Sequence, residues 1–372
     1  MNDGTFDISS TTSGASIKAL TGSGTVALGA QSLTLTAASG TFSGAISGTG
    51  SLLINGGTQI LTGTSNFSGG VTVASGATLE IPSAGALGGG TLALVGSPTT
   101  PAYLRVTGTT TIANAITVSG DPTFNIASGT TTTISGVIAD GVSSGDVEVT
   151  GGGTLALTAA NTYTGPTRVI SGSTLSLSGA GSIADSLVVA NAGTFDLSGT
   201  NTGASIKALT GAGAVTLGGK PLTITAASGT FSGVIGGTGS VTISGGVQTL
   251  SGVNTYTGAT TVASDAMLAF SGSGSIAASS SLTNSGSVDL RGLSGNATLG
   301  GAFTQSATGT LLMSFSSSGA KSLTVAGPAS LGGALTLTPS GGRYRAGTYN
   351  LLTAGSISGA FSSVSAAFGS SV

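Results

Sequence analysis

Hydrophobic and polar residues alternate along almost the whole chain, in runs too short for anything but strands. Leu33-Thr34-Leu35-Thr36, Leu155-Ala156-Leu157-Thr158, Leu175-Ser176-Leu177-Ser178, Leu222-Thr223-Ile224-Thr225 and Leu335-Thr336-Leu337-Thr338 all repeat with period two. That period sends successive side chains to opposite faces, so it predicts short strands with one apolar face. Gly-rich turns separate them, as at Gly22-Ser23-Gly24, Gly56-Gly57, Gly151-Gly152-Gly153 and Gly245-Gly246. No stretch has a helical period, and none approaches the ~18 consecutive apolar residues of a membrane helix.

The runs belong to a larger repeat. Residues 2–75 align without a gap onto 191–264, with most positions identical. Both copies hold Gly-Thr-Phe-Asp (Gly4 to Asp7, Gly193 to Asp196), the nine residues Gly14 to Gly22 (Gly203 to Gly211), and Ala37 to Gly44 (Ala226 to Gly233). A diverged middle copy places Ile134-Ser135-Gly136-Val137-Ile138 where the first has Phe42-Ser43-Gly44-Ala45-Ile46. A second landmark occurs three times, as Ser65-Asn66-Phe67-Ser68-Gly69, Asn161-Thr162-Tyr163-Thr164-Gly165 and Asn254-Thr255-Tyr256-Thr257-Gly258. The unit is about 95 residues, present about three times, with roughly four coils of 20–25 residues in each.

Stacked coils make long parallel sheets hydrogen-bonded from rung to rung. The expected fold is all-β, a parallel β-helix or β-solenoid. At about 4.8 Å per rung, some fifteen rungs would span on the order of 70 Å. Glycines would take the corners, and Leu, Ile, Val and Phe would stack inside. Residues 1–290 are expected to form the repeats and 291–372 the last rungs. A propeller would show an aromatic or acidic signature in each blade, and a row of sandwiches would show linkers. Neither pattern is present.

Composition narrows the chemistry. Of 372 residues, nine are Lys or Arg and eleven are Asp or Glu, and there is no His, Cys or Trp. Cysteine nucleophiles, thiolate or imidazole metal sites and His-based triads are thereby excluded. A net charge of −2 from scattered cations does not attract nucleic acid. Hydrophobic residues are 39% of the chain and the mean hydropathy is +0.46, too apolar for disorder. The 67 glycines have no three-residue period, so the chain is not collagen. The absence of Cys suits a protein exported through an oxidising compartment.

The stretch Leu157 to Leu175, with Asn-Thr-Tyr-Thr-Gly followed by Thr167-Arg168-Val169 and Thr174-Leu175, resembles the autotransporter-associated β-strand repeat of passenger domains. Leu250 to Leu268 is a second match, with Asp265 and Met267 in place of the usual Gly and Thr. Leu61 to Leu79 is a third, with Phe67 where the family has Tyr. Leu323 to Gly327, Leu331 to Leu337, Gly347 to Gly355 and Ile357 to Phe361 are similar to the junction before an autotransporter barrel. The resemblance implies a right-handed β-helix whose C-terminal, autochaperone-like cap seeds folding during export. It also implies a bacterial cell-surface or secreted location associated with the outer membrane, and a partner in the outer-membrane barrel of the same precursor. Neither signal peptide nor barrel is seen, and the chain starts inside a repeat and stops at Val372. The expectation is therefore a fragment of a longer passenger.

Candidate sites remain few. The Asn-Thr-Tyr-Thr-Gly turns are candidates for a sugar- or protein-binding surface, or are corners in which Asn turns and Tyr covers the coil edge. The acids are Asp3, Asp7, Asp121, Asp140, Asp146, Asp185, Asp196, Asp265, Asp289, Glu80 and Glu148. A polysaccharide-cleaving β-helix needs clustered carboxylates, often with Ca²⁺. Only Asp140, Asp146 and Glu148 are close together, around an apparent insertion from Ala139 to Gly145. Ala184-Asp185-Ser186-Leu187 has a loose likeness to an esterase block, but no His accompanies it. Arg343-Tyr344-Arg345 is the one dense basic spot, a candidate contact for lipid headgroups or a solvated hairpin. Lys18 and Lys207 fall at equivalent repeat positions. Outward Thr pairs such as Thr34/Thr36 and Thr223/Thr225 could build ice-binding ladders, but the sequence places them on different registers.

No catalytic, cofactor-binding or metal residue is assigned, no cofactor is expected, and binding residues stay open. The expected function is non-enzymatic: a surface stalk or adhesin, with host or bacterial glycans or proteins as targets. The alternatives are a self-associating module and a polysaccharide-acting enzyme.

Overall fold

The computed structural model describes residues 1–316, 319–339 and 348–366. By their internal contacts they form two compact units, Met1–Asn201 and Thr202–Val372. Each is a parallel β-solenoid, and the one helical element described is the 3₁₀ turn Ala84–Leu87.

In the first unit, seven parallel strands build one wall: Ala15–Ile17, Leu33–Leu35, Leu52–Ile54, Val71–Val73, Leu92–Val95, Ile116–Gly120 and Ile138–Gly145. Most are three to five residues long because each coil turns after a single inward–outward–inward triplet. The alternation then stacks in register. Leu33, Leu52, Val71, Leu92, Ile116 and Ile138 form one inward column, and Leu35, Ile54, Val73, Leu94 and Val118 another. All of these side chains are buried. A second wall runs from Ala38–Phe42 through Gly57–Leu61, Ala77–Ile81, Tyr103–Val106, Thr123–Ile126, Val147–Thr150 and Thr167–Val169 to Val189–Asn191. A third holds Thr5–Asp7, Thr25–Ala27 and Ala45–Ser47, and later Thr110–Ile112 to Thr194–Thr200.

The second unit repeats the plan. One wall passes from Ala204–Ile206 through Leu222–Ile224, Val241–Ile243, Thr260–Val262, Ser281–Asn284 and Ala302–Gln305 to Leu323–Leu331. Another includes Ala227–Phe231, Gly246–Leu250, Ala266–Gly272, Ser287–Leu293, Thr310–Ser316, Ala334–Pro339 and Ser363–Ala366. The last strands continue the parallel pairing, with Ala329 facing Ile357 and Leu335 facing Val364. Ile357 and Val364 are 53% and 62% exposed.

Corners need a backbone that L residues avoid, and every described residue with positive φ is a glycine. Gly57 (φ 74°) and its repeat equivalent Gly246 (φ 75°) show a further requirement. A Cβ on either would strike the carbonyl oxygen of the rung beneath, Ala38 or Ala227.

The interior also contains polar side chains that the alternation does not announce. Gln59 and Gln248 are wholly buried at equivalent positions of two copies. Gln59 Nε2 donates to the carbonyls of Leu20 (3.0 Å), Ile60 (3.1 Å) and Gly40 (3.3 Å). Gln248 repeats this with Leu209, Thr249 and Gly229. In the second unit Asn284 Nδ2 donates to Gln305 Oε1 (3.1 Å) inside the core.

Candidate functional site

The landmark turns are built from the inside. Asn161 and Asn254 do not take a left-handed turn; their buried amides bind the neighbouring rungs. Asn254 Oδ1 accepts the backbone N–H of Ile235 (2.9 Å), and Nδ2 donates to the carbonyls of Ser275 (3.0 Å) and Gly252 (3.1 Å). Asn161 does the same with Ile138, Ser182 and Ala159. At the first landmark Ser65 Oγ takes this role and accepts from Ile46 N–H (3.2 Å).

Tyr163 and Tyr256 are 1% and 0% exposed, so they lie in the core and do not cover an edge. Tyr163 OH and Thr167 Oγ1 are 2.7 Å apart, Thr167 Oγ1 and Ser186 Oγ 2.8 Å, and Ser186 donates to Gly165 O (2.9 Å). Tyr256, Thr260, Ser279 and Gly258 O form the same chain. Burial pushes both phenols well above the ordinary tyrosine range, with the threonine hydrogen bond opposing it in part. The first landmark has Phe67 and Val71 in place of the Tyr–Thr pair, so both hydroxyls are lost together. Ser186 of the esterase-like block is thus a buried link in this chain.

The acids are placed separately. Asp140 accepts from Thr164 Oγ1 (2.7 Å), Gly145 N–H (3.0 Å) and Thr164 N–H (3.1 Å). Partial burial opposes ionisation, but these bonds outweigh it and hold the carboxyl below its ordinary range. They tie down a bulge in which Gly141 to Ser144 face Ser119 alone, which is what the apparent insertion becomes. Asp146 pairs with Arg168, and Glu148 meets Thr123 Oγ1 at 3.4 Å. Among the described residues no three such groups are set to hold a metal ion. Lys18 is exposed and Lys207 half-buried. Arg343, Tyr344 and Arg345 lie outside the described residues.

The threonines depart from expectation. Thr223, Thr242, Thr261, Thr283 and Thr304 fall into one outward column, because the turns absorb the differences in coil length. Their strands carry no charged residue.

One outward cluster escapes the sequence reading. Thr58, Thr78 and Tyr103 stand in one column of the second wall of the first unit; Glu80, Arg105 and Asn125 stand in the next. They line a recess of about 340 Å³. Arg105 Nη1 meets Glu80 Oε2 at 3.0 Å. The available signal was the alternation Tyr103-Leu104-Arg105-Val106, which places an aromatic and a cation together on the outer face.

Three segments, residues 54–81, 147–177 and 243–264, match the family model described as passenger-associated-transport-repeat. Each contains one landmark turn, and the third ends just before Asp265 and Met267. No curated protein and no solved structure matches the chain at a significant level. Three such repeats, folded as coils of a parallel β-solenoid with their signature side chains tying rung to rung, support an autotransporter passenger domain with β-strand repeats.

Proposed function

We propose that the chain is the structural and adhesive part of an autotransporter passenger, held at the bacterial surface by the outer-membrane barrel of its own precursor. The repeat family implies a secreted or cell-surface protein. What supports a stalk or adhesin is the use to which the repeat signature is put. Asn161, Tyr163, Thr167 and Ser186, and their equivalents Asn254, Tyr256, Thr260 and Ser279, bond rung to rung in the interior. A signature spent on stacking suits a chain selected for extension and display. Residues 291–372 would act as the cap on which each exported rung pairs in turn. Rung-on-rung pairing of this kind draws the chain outward as it folds.

The test joins the chain to a signal peptide and an outer-membrane barrel and measures surface exposure by added protease, together with cell adhesion. Display of a folded, adhesive chain is expected, and deletion of 291–372 should leave it protease-sensitive. Failure of the intact chain to reach the surface would overturn the reading.

A second reading, self-association, is favoured by the Thr223–Thr304 column. None of those five hydroxyls bonds to another protein group, and a facing copy could satisfy them in register. Sedimentation at rising concentration, with Thr261→Lys as the comparison, separates a self-pairing module from a monomeric stalk.

A further inference from the structure

We propose that the recess around Tyr103 and Arg105 binds a short neutral oligosaccharide of hexopyranose units, an inference that rests on the adhesive reading and gives it a site. Tyr103 is the one aromatic among the exposed large side chains of the described residues, at 36%. Beside it, Arg105 is 53% exposed and Glu80 17%. Their contact uses one guanidinium N–H and one carboxylate oxygen, so the remaining donors of Arg105 and Oε1 of Glu80 have no protein partner. Asn125 donates to Thr150 Oγ1 (3.1 Å), which leaves its own oxygen open.

The fold does not need this chemistry. In the second unit the equivalent columns carry Val247, Met267 and Ser287, and Thr249, Ala269 and Asp289, on strands paired in the same way. Gln248 sits beside Val247 as Gln59 sits beside Thr58, which fixes the correspondence. An ion pair this exposed adds little to stability. A chain with 5% charged residues therefore places an aromatic, a cation, an anion and an amide on neighbouring rungs without structural need.

The ligand class follows from the groups. A phenol ring offers an electron-rich face to the C–H face of a pyranose. Arg donates only, a carboxylate accepts only, and an amide does both, which matches vicinal hydroxyls. Glu80 offsets the charge of Arg105, so an acidic sugar gains nothing. Rungs about 4.8 Å apart, and columns two residues apart along a strand at about 3.3 Å per residue, spread these groups over the span of one or two pyranose rings.

The test uses the purified full chain on a printed array of neutral oligosaccharides (maltotriose, cellotriose and lactose among them), followed by titration with the strongest. Binding is expected, falling at least tenfold in Tyr103→Ala and in Arg105→Ala, with Tyr103→Phe retaining most of it. Met267→Ala, on the equivalent column, should bind as the parent does. All variants should keep the parent circular dichroism, since the changed positions point outward. A blank array, binding that survives Tyr103→Ala, or tighter binding of sialylated or uronic-acid sugars overturns the proposal. A blank array with cells that still adhere removes this site and leaves the adhesive reading; cells that fail to adhere despite a positive array do the reverse.

Discussion

Replacing Asn254 is the sharpest test of how the repeat signature holds the coil. In Asn254→Ala the buried N–H of Ile235 loses its acceptor, at a cost of about 1–3 kcal/mol. The carbonyls of Gly252 and Ser275 each keep a backbone donor, from Ser275 N–H and Asn254 N–H. They lose only the second donation from the amide, about 0.5–1.5 kcal/mol apiece. The total is about 2–6 kcal/mol, large beside the ~5–15 kcal/mol of an ordinary domain. Asn254→Ser should be milder. Ser65 shows that a hydroxyl at this position still accepts the facing N–H, so the orphaned donor is avoided and only the secondary bonds are lost. Urea unfolding followed by circular dichroism should move the midpoint of Asn254→Ala down by about 0.7–2 M, taking a slope of about 3 kcal/mol/M, and that of Asn254→Ser by about half as much. Native-state hydrogen exchange gives the local readout: the Ile235 amide should exchange ten- to a hundredfold faster in the alanine variant, at about 1.4 kcal/mol per decade. Equal losses for Ser and Ala, or an unchanged Ile235 amide, would refute the assignment of this bond.

Thr167→Val strands the buried hydroxyl of Tyr163 and should cost about 1–3 kcal/mol; adding Tyr163→Phe, the pairing seen at Phe67 and Val71, should restore most of it in a double-mutant cycle. Gly246→Ala should lower the melting temperature much more than Gly272→Ala. Both need positive φ, about 1–2 kcal/mol of strain for alanine, but only Gly246 has a carbonyl in the path of the new methyl. Burial raises the folded pKa of Tyr163 and Tyr256 above the unfolded value near 10. Their contribution is thus complete below about pH 10 and lost as pH rises beyond it, so part of the tyrosinate absorbance should appear only together with unfolding. Tyr163→Phe/Tyr256→Phe should abolish that late fraction. Asp140→Ala should open the Gly141–Ser144 bulge to limited proteolysis while the melting curve of the remainder stays in place.

Period-two triplets and the long repeat made the solenoid legible. Leu33-Thr34-Leu35 is buried, half-buried, buried, as alternation requires, and its stacking on Leu52 and Ile54 follows from repetition. What alternation misses is the polar interior. Gln59 reads as an outward residue by chemistry, yet in a narrow coil its amide can reach three carbonyls where no leucine could. Tyr163 reads as a surface residue for the same reason, and its place inside depends on Thr167 and Ser186, one of them a rung away. The threonine column and the Tyr103 cluster were illegible because register between rungs depends on turn lengths, which vary from coil to coil. Side chains that end as neighbours, such as Glu80 and Arg105, are far apart along the chain.

The bulge at Gly141 to Ser144 shows how such a protein can change its length. The residues opposite Ser119 are extruded sideways, while the pairing of Ile116 with Ile138 before them and of Gly120 with Gly145 after them is kept. An insertion smaller than one circuit can only become a side loop. An insertion of whole circuits, like the duplication that relates residues 2–75 to 191–264, adds new rungs in phase and leaves every existing column intact. Growth is therefore quantised in coils: the stack can lengthen by copying DNA in coil-sized lengths, while the outward side chains of existing rungs keep their neighbours.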